Sequence, residues 1–366
     1  MYSNSMEDYL KSQIITYMGN KRKLLPYIEE IVLDLEKEKG SKLKIGDGFA
    51  GSGIVSRLFK KHACELYTND IANYSETLNN CYLSNIDDDK IKKIEKYIEK
   101  ANKYADDKNK YTEKYVSGNW APLGKIKDDT RIYFTEDNGK RIDIIRNYIE
   151  TIPKEYKSFL LAPLLVECSI HNNTNGHFAA YYKGQYGGSK SIDLKRITKP
   201  IAINFPLYMN NNCKINIEKM DTNEWVKKIP KLDLVYYDPP YNKHPYSIYY
   251  FLLDIINNWD SIEIPDTNRG QPLNWNKSMY NSITHAEKTF EDLIDNTDSK
   301  YILISYNDKG IIPVKNMEKI LKNKGELKKI VLEHKTYNRL KGIADYKRKN
   351  ENEKVKEFFW LLRMNI

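Results

Sequence analysis

The chain has 366 residues, 40% hydrophobic and 30% charged, with 59 Lys and Arg against 50 Asp and Glu and a formal net charge of +9. That length supports a large core and two structural units, and the moderate basic excess permits a polyanionic partner without requiring one. Four scattered cysteines (Cys64, Cys81, Cys168, Cys213) with no CxxC spacing argue against a disulfide framework or a zinc site, and no run reaches the ~20 apolar residues of a membrane span.

The first residues, MYSNSMEDYLKSQ, carry acids and no long apolar run, so the expectation is a cytoplasmic protein with no signal peptide, membrane anchor or metal. Leu24, Ile28, Ile31 and Leu35 recur at helical spacing before the turn KGSK. LKIGDGFAGSG reads as a short strand entering a glycine loop, followed by the helix IVSRLFKKH, the strand ELYTND and the helix IANYSETLNNCYLSN. Strand, loop, helix, strand, helix is the start of a parallel α/β sheet.

Near Asn85 the alternation stops. The next stretch is rich in Lys, Glu and Asp and helical in period, with KSFLLAPLLVECSIHNN as a buried helix and GHFAAYYKGQYGGSKS as a loop. Alternation resumes with the strands CKINIEKMD and LDLVYYD and the helix YSIYYFLLDIINNW. A polar stretch over 260–285 has no assigned role. Then come the helix HAEKTFEDLID, the strand YILISYN, the helix MEKILKNKG, and KKIVLEHKTY with KEFFWLLRM as an antiparallel pair. The predicted organisation is one α/β domain, 1–84 plus 196–366, interrupted by a mainly helical insertion at 85–195.

GDGFAG matches the dinucleotide-binding pattern G-x-G-x-x-G, with Asp70 roughly where such folds keep a ribose-binding acid. The loop and that acid point to an adenosine-bearing ligand, either a nicotinamide dinucleotide or S-adenosylmethionine. Asp47 beside the loop repels a pyrophosphate and suits an ammonium, and YMGNKRKL supplies a lysine for a carboxylate. Both favour S-adenosylmethionine over a nicotinamide oxidoreductase.

In LDLVYYDPPY the strand ends at Asp238, on the edge of the sheet where ligands bind. Two prolines restrict both Asp238 and Pro239, so the carboxylate and the Pro239 carbonyl point in a set direction. An exocyclic amine has two hydrogens to give such a pair of acceptors. Holding them orients the nitrogen lone pair toward an electrophilic methyl, and Tyr241 is placed to stack on the base.

DPPY, with YMGNK, DGFAGSG and TND in this order, resembles the DNA adenine-N6 methyltransferases, and the Dam-like D12 class in particular. The resemblance implies a Rossmann-like S-adenosylmethionine-dependent methyltransferase sheet, mostly parallel with a C-terminal antiparallel pair, and a target-recognition insertion. It implies that Tyr17 and Lys21 contact the methionine part of the cofactor. Asp47, Phe49, Gly51 and Gly53 then form the cofactor loop, Asp70 holds the ribose and Asp221 meets the cofactor adenine. Asp238, Pro239 and Tyr241 become catalytic, with Asp238 also touching the cofactor.

For double-stranded DNA, the loop HNNTNGHFAAYYKGQYGGSK offers amides (Asn172, Asn173, Asn175), aromatics (Tyr182) and lysines (Lys183, Lys190). The stretch between the last two strands adds a basic run that includes Arg339 and Lys341. The expectation is a monomeric DNA methyltransferase, paired with a cognate restriction endonuclease or acting alone. An RNA adenine methyltransferase shares DPPY, but an insertion of ~110 residues favours reading duplex DNA.

Overall fold

In a computed structural model, residues 5–191, 193–274, 277–335 and 354–365 are described. Seven strands form one sheet in the order β3-β2-β1-β4-β5-β7-β6. They are β1 Leu43–Asp47, β2 Ala63–Asn69, β3 Lys214–Glu218, β4 Leu232–Tyr237, β5 Ser299–Asn307, β6 Gly325–Lys335 and β7 Lys354–Met364. The first five are parallel, while β7 runs antiparallel to both β5 and β6. The sheet therefore has the predicted form, mostly parallel with a closing antiparallel pair.

Helices cover both faces, as a parallel sheet requires. On one side lie α1 (Leu25–Lys39) and α2 (Ile54–His62); on the other lie α8 (Ala286–Asp295) and α9 (Val314–Lys322). Period-two alternation along β4 serves both: Leu234 and Tyr236 enter the first core, and Val235 and Tyr237 enter the second. α3 (Asn73–Tyr82) follows β2, and α7 (Tyr246–Asn258) follows β4.

Between β2 and β3 the chain builds α4 (Asp88–Asp106), α5 (Glu136–Glu150) and α6 (Lys154–Ile170). Their apolar faces join a third core shared with Leu78 and Tyr82 of α3 and with Phe251 and Ile255 of α7. The buried helix expected at KSFLLAPLLVECSIHNN is α6, which carries Pro163 in its interior.

Connectivity fixes where a ligand can sit. From β1 the chain moves outward through β2 and β3, then returns to place β4 on the other side of β1. Strand order reverses at the β1–β4 boundary, and crevices open there beyond the carboxyl ends of the strands. Because β7 is antiparallel, its opening residues arrive at that same edge: Glu357 pairs with Asn307, the last residue of β5.

Candidate active site

Three acids mark the carboxyl edge: Asp47 closes β1, Asp70 follows β2 and Asp238 follows β4. Asp70 Oδ2 accepts the Gly51 N–H at 2.8 Å, and Oδ1 accepts the Ala72 N–H at 2.9 Å. The acid thus clamps the glycine loop to the strand end and keeps lone pairs for further donors. Gly51 has φ 51°, and a Cβ there would lie 2.9 Å from the Tyr17 ring, so both backbone and space demand glycine. Gly53 stands at the N-cap of α2.

A cleft of about 540 Å³ opens along this edge. Of the predicted cofactor residues, Tyr17, Phe49, Gly51, Asp70, Asp221 and Asp238 line it. Asp221 also caps the short helix Thr222–Trp225 through the Asn223 N–H. Tyr17 packs against two rings of α7, stacked on Tyr246 at 5.1 Å and on Tyr250 at 4.8 Å, which themselves stack at 6.1 Å. Tyr246, Tyr250 and Asp254 follow at i, i+4 and i+8, so one face of α7 turns toward this region. Asp254 lines the cleft and accepts the Tyr74 N–H; burial pushes its carboxyl up to about 7.

Two of the expected cofactor residues, Lys21 and Asp47, stand outside the lining of the cleft. Lys21 does not line the cleft; its ammonium is buried between Asp238 Oδ1 at 3.1 Å and Glu357 Oε1 at 2.7 Å. Two carboxylates, one from the DPPY segment and one from β7, hold it there. Asp47 is fully buried behind the wall of the cleft, where it accepts a hydrogen bond from Ser56 Oγ at 2.6 Å. Burial pushes its carboxyl up to about 7. It supports the loop from beneath and does not present a charge to a ligand.

The Asp238 carboxyl is pushed up to about 6 by burial, against the pull of Lys21 and with a further push from Glu357. Burial works to lower the Lys21 ammonium, but the facing acids overcome it and hold it well above the ordinary lysine range. Tyr241 stands beside this cluster, its ring 5.5 Å from the ammonium and edge-on to Tyr306 at 5.8 Å. Its hydroxyl rests over Gly19, where a Cβ would come within 2.3 Å. Pro240, the second proline, lines the cleft, while Pro239 is buried beside it.

Residues of the unassigned 260–285 stretch line the cleft as well, among them Asp260, Glu263, Gln271 and Leu273. Six acids line the whole space: Asp70, Asp221, Asp238, Asp254, Asp260 and Glu263. Among the described residues no Lys, Arg or His lines it.

The DNA candidates separate by burial. Asn173 donates to the carbonyls of Ile132 and Tyr182 and accepts from Gly187, and Asn172 bonds Cys168 and Thr174. These amides hold the loop together and are not offered to bases, because burial leaves them no solvent side. Tyr182 has its ring buried against Gly188. Asn175 is half-buried, while Lys183 and Lys190 are exposed. Arg339 and Lys341 lie outside the described residues.

Sequence reasoning passed over Glu357, Asp254 and the α7 tyrosines. A lone acid within an otherwise apolar helix was the available signal for Asp254. Glu357 had none, since strand pairing alone brings it to the site.

The family described as D12 class N6 adenine-specific DNA methyltransferase matches residues 17–320. The chain is 29% identical over 358 residues to the type II methyltransferase M.NlaIII of Neisseria lactamica, covering 96% of this chain and 98% of that protein. It is 30% identical over 332 residues to the type II methyltransferase M.CviAII of Paramecium bursaria Chlorella virus 1, covering 88% and 92%. Similarity to the type II methyltransferase M.FokI of Planomicrobium okeanokoites is 27% over 365 residues, spanning 96% of this chain and 53% of that longer protein.

Proposed function

Since this chain belongs to the D12 class of N6 adenine-specific DNA methyltransferases, we propose that it moves a methyl group from S-adenosylmethionine to N6 of an adenine flipped out of duplex DNA. The observation that carries the cofactor choice is the acid-lined cleft, which among the described residues has no basic side chain in its lining. Such a wall repels the pyrophosphate of a nicotinamide dinucleotide, and it suits a ligand bearing an ammonium, a sulfonium and ribose hydroxyls. Asp70 has lone pairs for the ribose, Phe49 offers an aromatic wall, and Asp221 is placed for the adenine of the cofactor. When bound, S-adenosylmethionine supplies an electrophilic methyl group.

The protein's own part is to prepare the amine. The amine of adenine is a poor nucleophile because its lone pair is shared with the ring. Asp238 and the Pro239 carbonyl accept its two hydrogens and turn the lone pair outward. Lys21 favours the ionised form of Asp238, which only then is a pure acceptor and can take up the proton the amine releases. Tyr241 stacks on the extruded base and offsets part of the unstacking cost, about 1–3 kcal/mol per stack.

Residues 85–195 serve as the target-recognition insertion, with Asn175, Lys183 and Lys190 toward the DNA. The relatives named type II methyltransferases support a role as the modification arm of a restriction system, with a cognate endonuclease cutting unmethylated sites. We assign it a monomeric, cytoplasmic form; among the described residues no helix is long and apolar enough to cross a membrane.

Tritiated S-adenosylmethionine offered with duplex DNA, duplex RNA or protein tests the assignment. Label is expected on adenine N6 in duplex DNA alone, and label confined to RNA or protein overturns it. Asp238→Ala is expected to abolish transfer while cofactor binding remains measurable.

A further inference from the structure

The 260–285 stretch beside the cleft carries an unusual surface. Ten large apolar side chains are exposed among the described residues, and three of them fall within residues 273–283: Leu273 at 69%, Met279 at 47% and Ile283 at 74%. Single exposed apolar residues are ordinary, but a cluster beside a binding cleft marks an interaction surface. Leu273 is the one of the three that lines the cleft itself.

Leu273 is also held from both sides. Upstream, the Arg131 guanidinium donates to the carbonyls of Pro265 and Thr267, Trp120 Nε1 donates to the Arg269 carbonyl at 3.0 Å, and the Tyr181 hydroxyl donates to the Asn268 carbonyl at 3.1 Å. All three donors belong to the 85–195 insertion. Downstream, the Tyr280 hydroxyl donates to Asn223 Oδ1 at 2.7 Å, and Asn281 Nδ2 donates to the Asn242 carbonyl at 2.7 Å, one residue past DPPY. The described residues on either side of Leu273 are thus tied to the insertion at 265–269 and to the neighbourhood of the catalytic loop at 280–281, with the leucine exposed at the mouth of the cleft.

Resting on the assignment of duplex DNA as substrate, we infer that Leu273 is the wedge that enters the base stack as the target adenine leaves it. Extruding a base costs a few kcal/mol and leaves a gap in the stack, and an inserted apolar side chain replaces the lost contacts. A leucine gives up little hydration on entering that gap. Pro272 stiffens its approach. Arg269 and Lys277, both exposed and four residues to either side in sequence, suit the neighbouring phosphates. The anchoring to Trp120, Arg131 and Tyr181 couples insertion of the wedge to docking of the recognition module.

The test compares Leu273→Ala with the wild type on duplexes carrying the site found by sequencing methylated bases in DNA from an expressing host. One duplex is fully paired and one places the target adenine opposite an abasic position; a third carries 2-aminopurine at the target to report extrusion by fluorescence. On paired duplex the variant is expected to lose turnover about ten-fold and to lose most of the fluorescence rise. On the abasic duplex, where little pairing opposes extrusion, its turnover returns to within about two-fold of wild type. Its cofactor Kd stays unchanged, and Leu273→Met restores turnover on paired duplex. Equal loss on paired and abasic duplexes, a raised cofactor Kd, or undiminished turnover on paired duplex each overturns the wedge. Failure of the wild type to label any DNA overturns the substrate assignment instead.

Discussion

The Lys21 ammonium lies 3.1 Å from the Asp238 carboxylate, in a buried cluster that also holds Glu357 at 2.7 Å. One cation thus faces two anions, one from the strand end that carries DPPY and one from the antiparallel strand β7. Ser305 of β5 adds a hydroxyl, donating to Glu357 Oε1 at 3.4 Å. Excess negative charge and burial leave Asp238 easier to protonate than an ordinary aspartate, and Lys21 opposes that tendency.

Turnover is therefore expected to fall on the acid side near pH 6. The Asp238 carboxyl is raised to about 6, so below that pH it carries a proton and cannot accept both the hydrogen and the proton of the amine. Two substitutions then move the limb in opposite directions. Lys21→Met removes the favourable charge and shifts it upward by roughly 1–3 pH units, the size of an opposite-charge effect at this range. Glu357→Gln removes the unfavourable charge and shifts it downward. The titratable groups facing Asp238 besides these are Tyr236, Tyr241, Tyr246 and Asp47, with Ser305 as a hydrogen-bond donor, and neither substitution removes any of them. A pH profile of kcat at saturating cofactor and DNA reads both shifts; two variants that lose activity with the limb unmoved would leave Lys21 and Glu357 as scaffold only.

Asp70→Asn addresses cofactor affinity. The amide still accepts through one oxygen, but it loses charge and replaces an acceptor at either Gly51 or Ala72 with a donor. Charged hydrogen bonds of this kind contribute about 1.5–3 kcal/mol, so the cofactor Kd should rise roughly 10- to 100-fold. Titration calorimetry with S-adenosylmethionine measures it directly. An unchanged Kd removes Asp70 from the ribose role.

Asp254 links the site to stability. Its carboxyl is raised to about 7 by burial, against the Tyr74 N–H and with a push from Asp70. A group raised on folding favours the fold most below its unfolded value, and that contribution is lost as pH rises through the folded value. The favourable contribution is thus complete below about pH 4 and gone above about pH 7. Asp254→Asn cannot ionise yet keeps an acceptor for Tyr74, so its Tm relative to wild type should be higher at pH 8 than at pH 5. Thermal unfolding in the two buffers checks the sign.

Much of this was legible in the chain itself. The glycine loop, Asp70 and DPPY each announce a strand end, and β1, β2 and β4 end within a residue or two of where those signals stand. The closing antiparallel pair expected at KKIVLEHKTY and KEFFWLLRM is β6 with β7. What escaped is set by contacts distant in sequence. Lys21 reads as a partner for a cofactor carboxylate, and only β7, more than 300 positions later, brings Glu357 to it. Composition likewise made Asn172 and Asn173 look like base readers, while burial commits them to their own loop. The role of 260–285 depends on carbonyls held by the insertion, which no local pattern encodes.

That loss of the buried amides leaves Lys183 and Lys190 as the exposed cations of the recognition loop. Each phosphate contact releases condensed counterions, so the slope of log K against log salt measures how many are made, about 0.9 per contact on duplex DNA. Lys183→Ala and Lys190→Ala should each lower that slope by about one while weakening binding similarly for cognate and unrelated duplexes. Their charge serves position rather than sequence, so the choice of methylated site should not change. Burial also separates them from Tyr182, because Tyr182→Phe keeps the buried ring against Gly188 and should leave the slope intact. Fluorescence anisotropy across a salt series gives all three slopes. An unchanged slope in both lysine variants places the DNA on another face of the insertion.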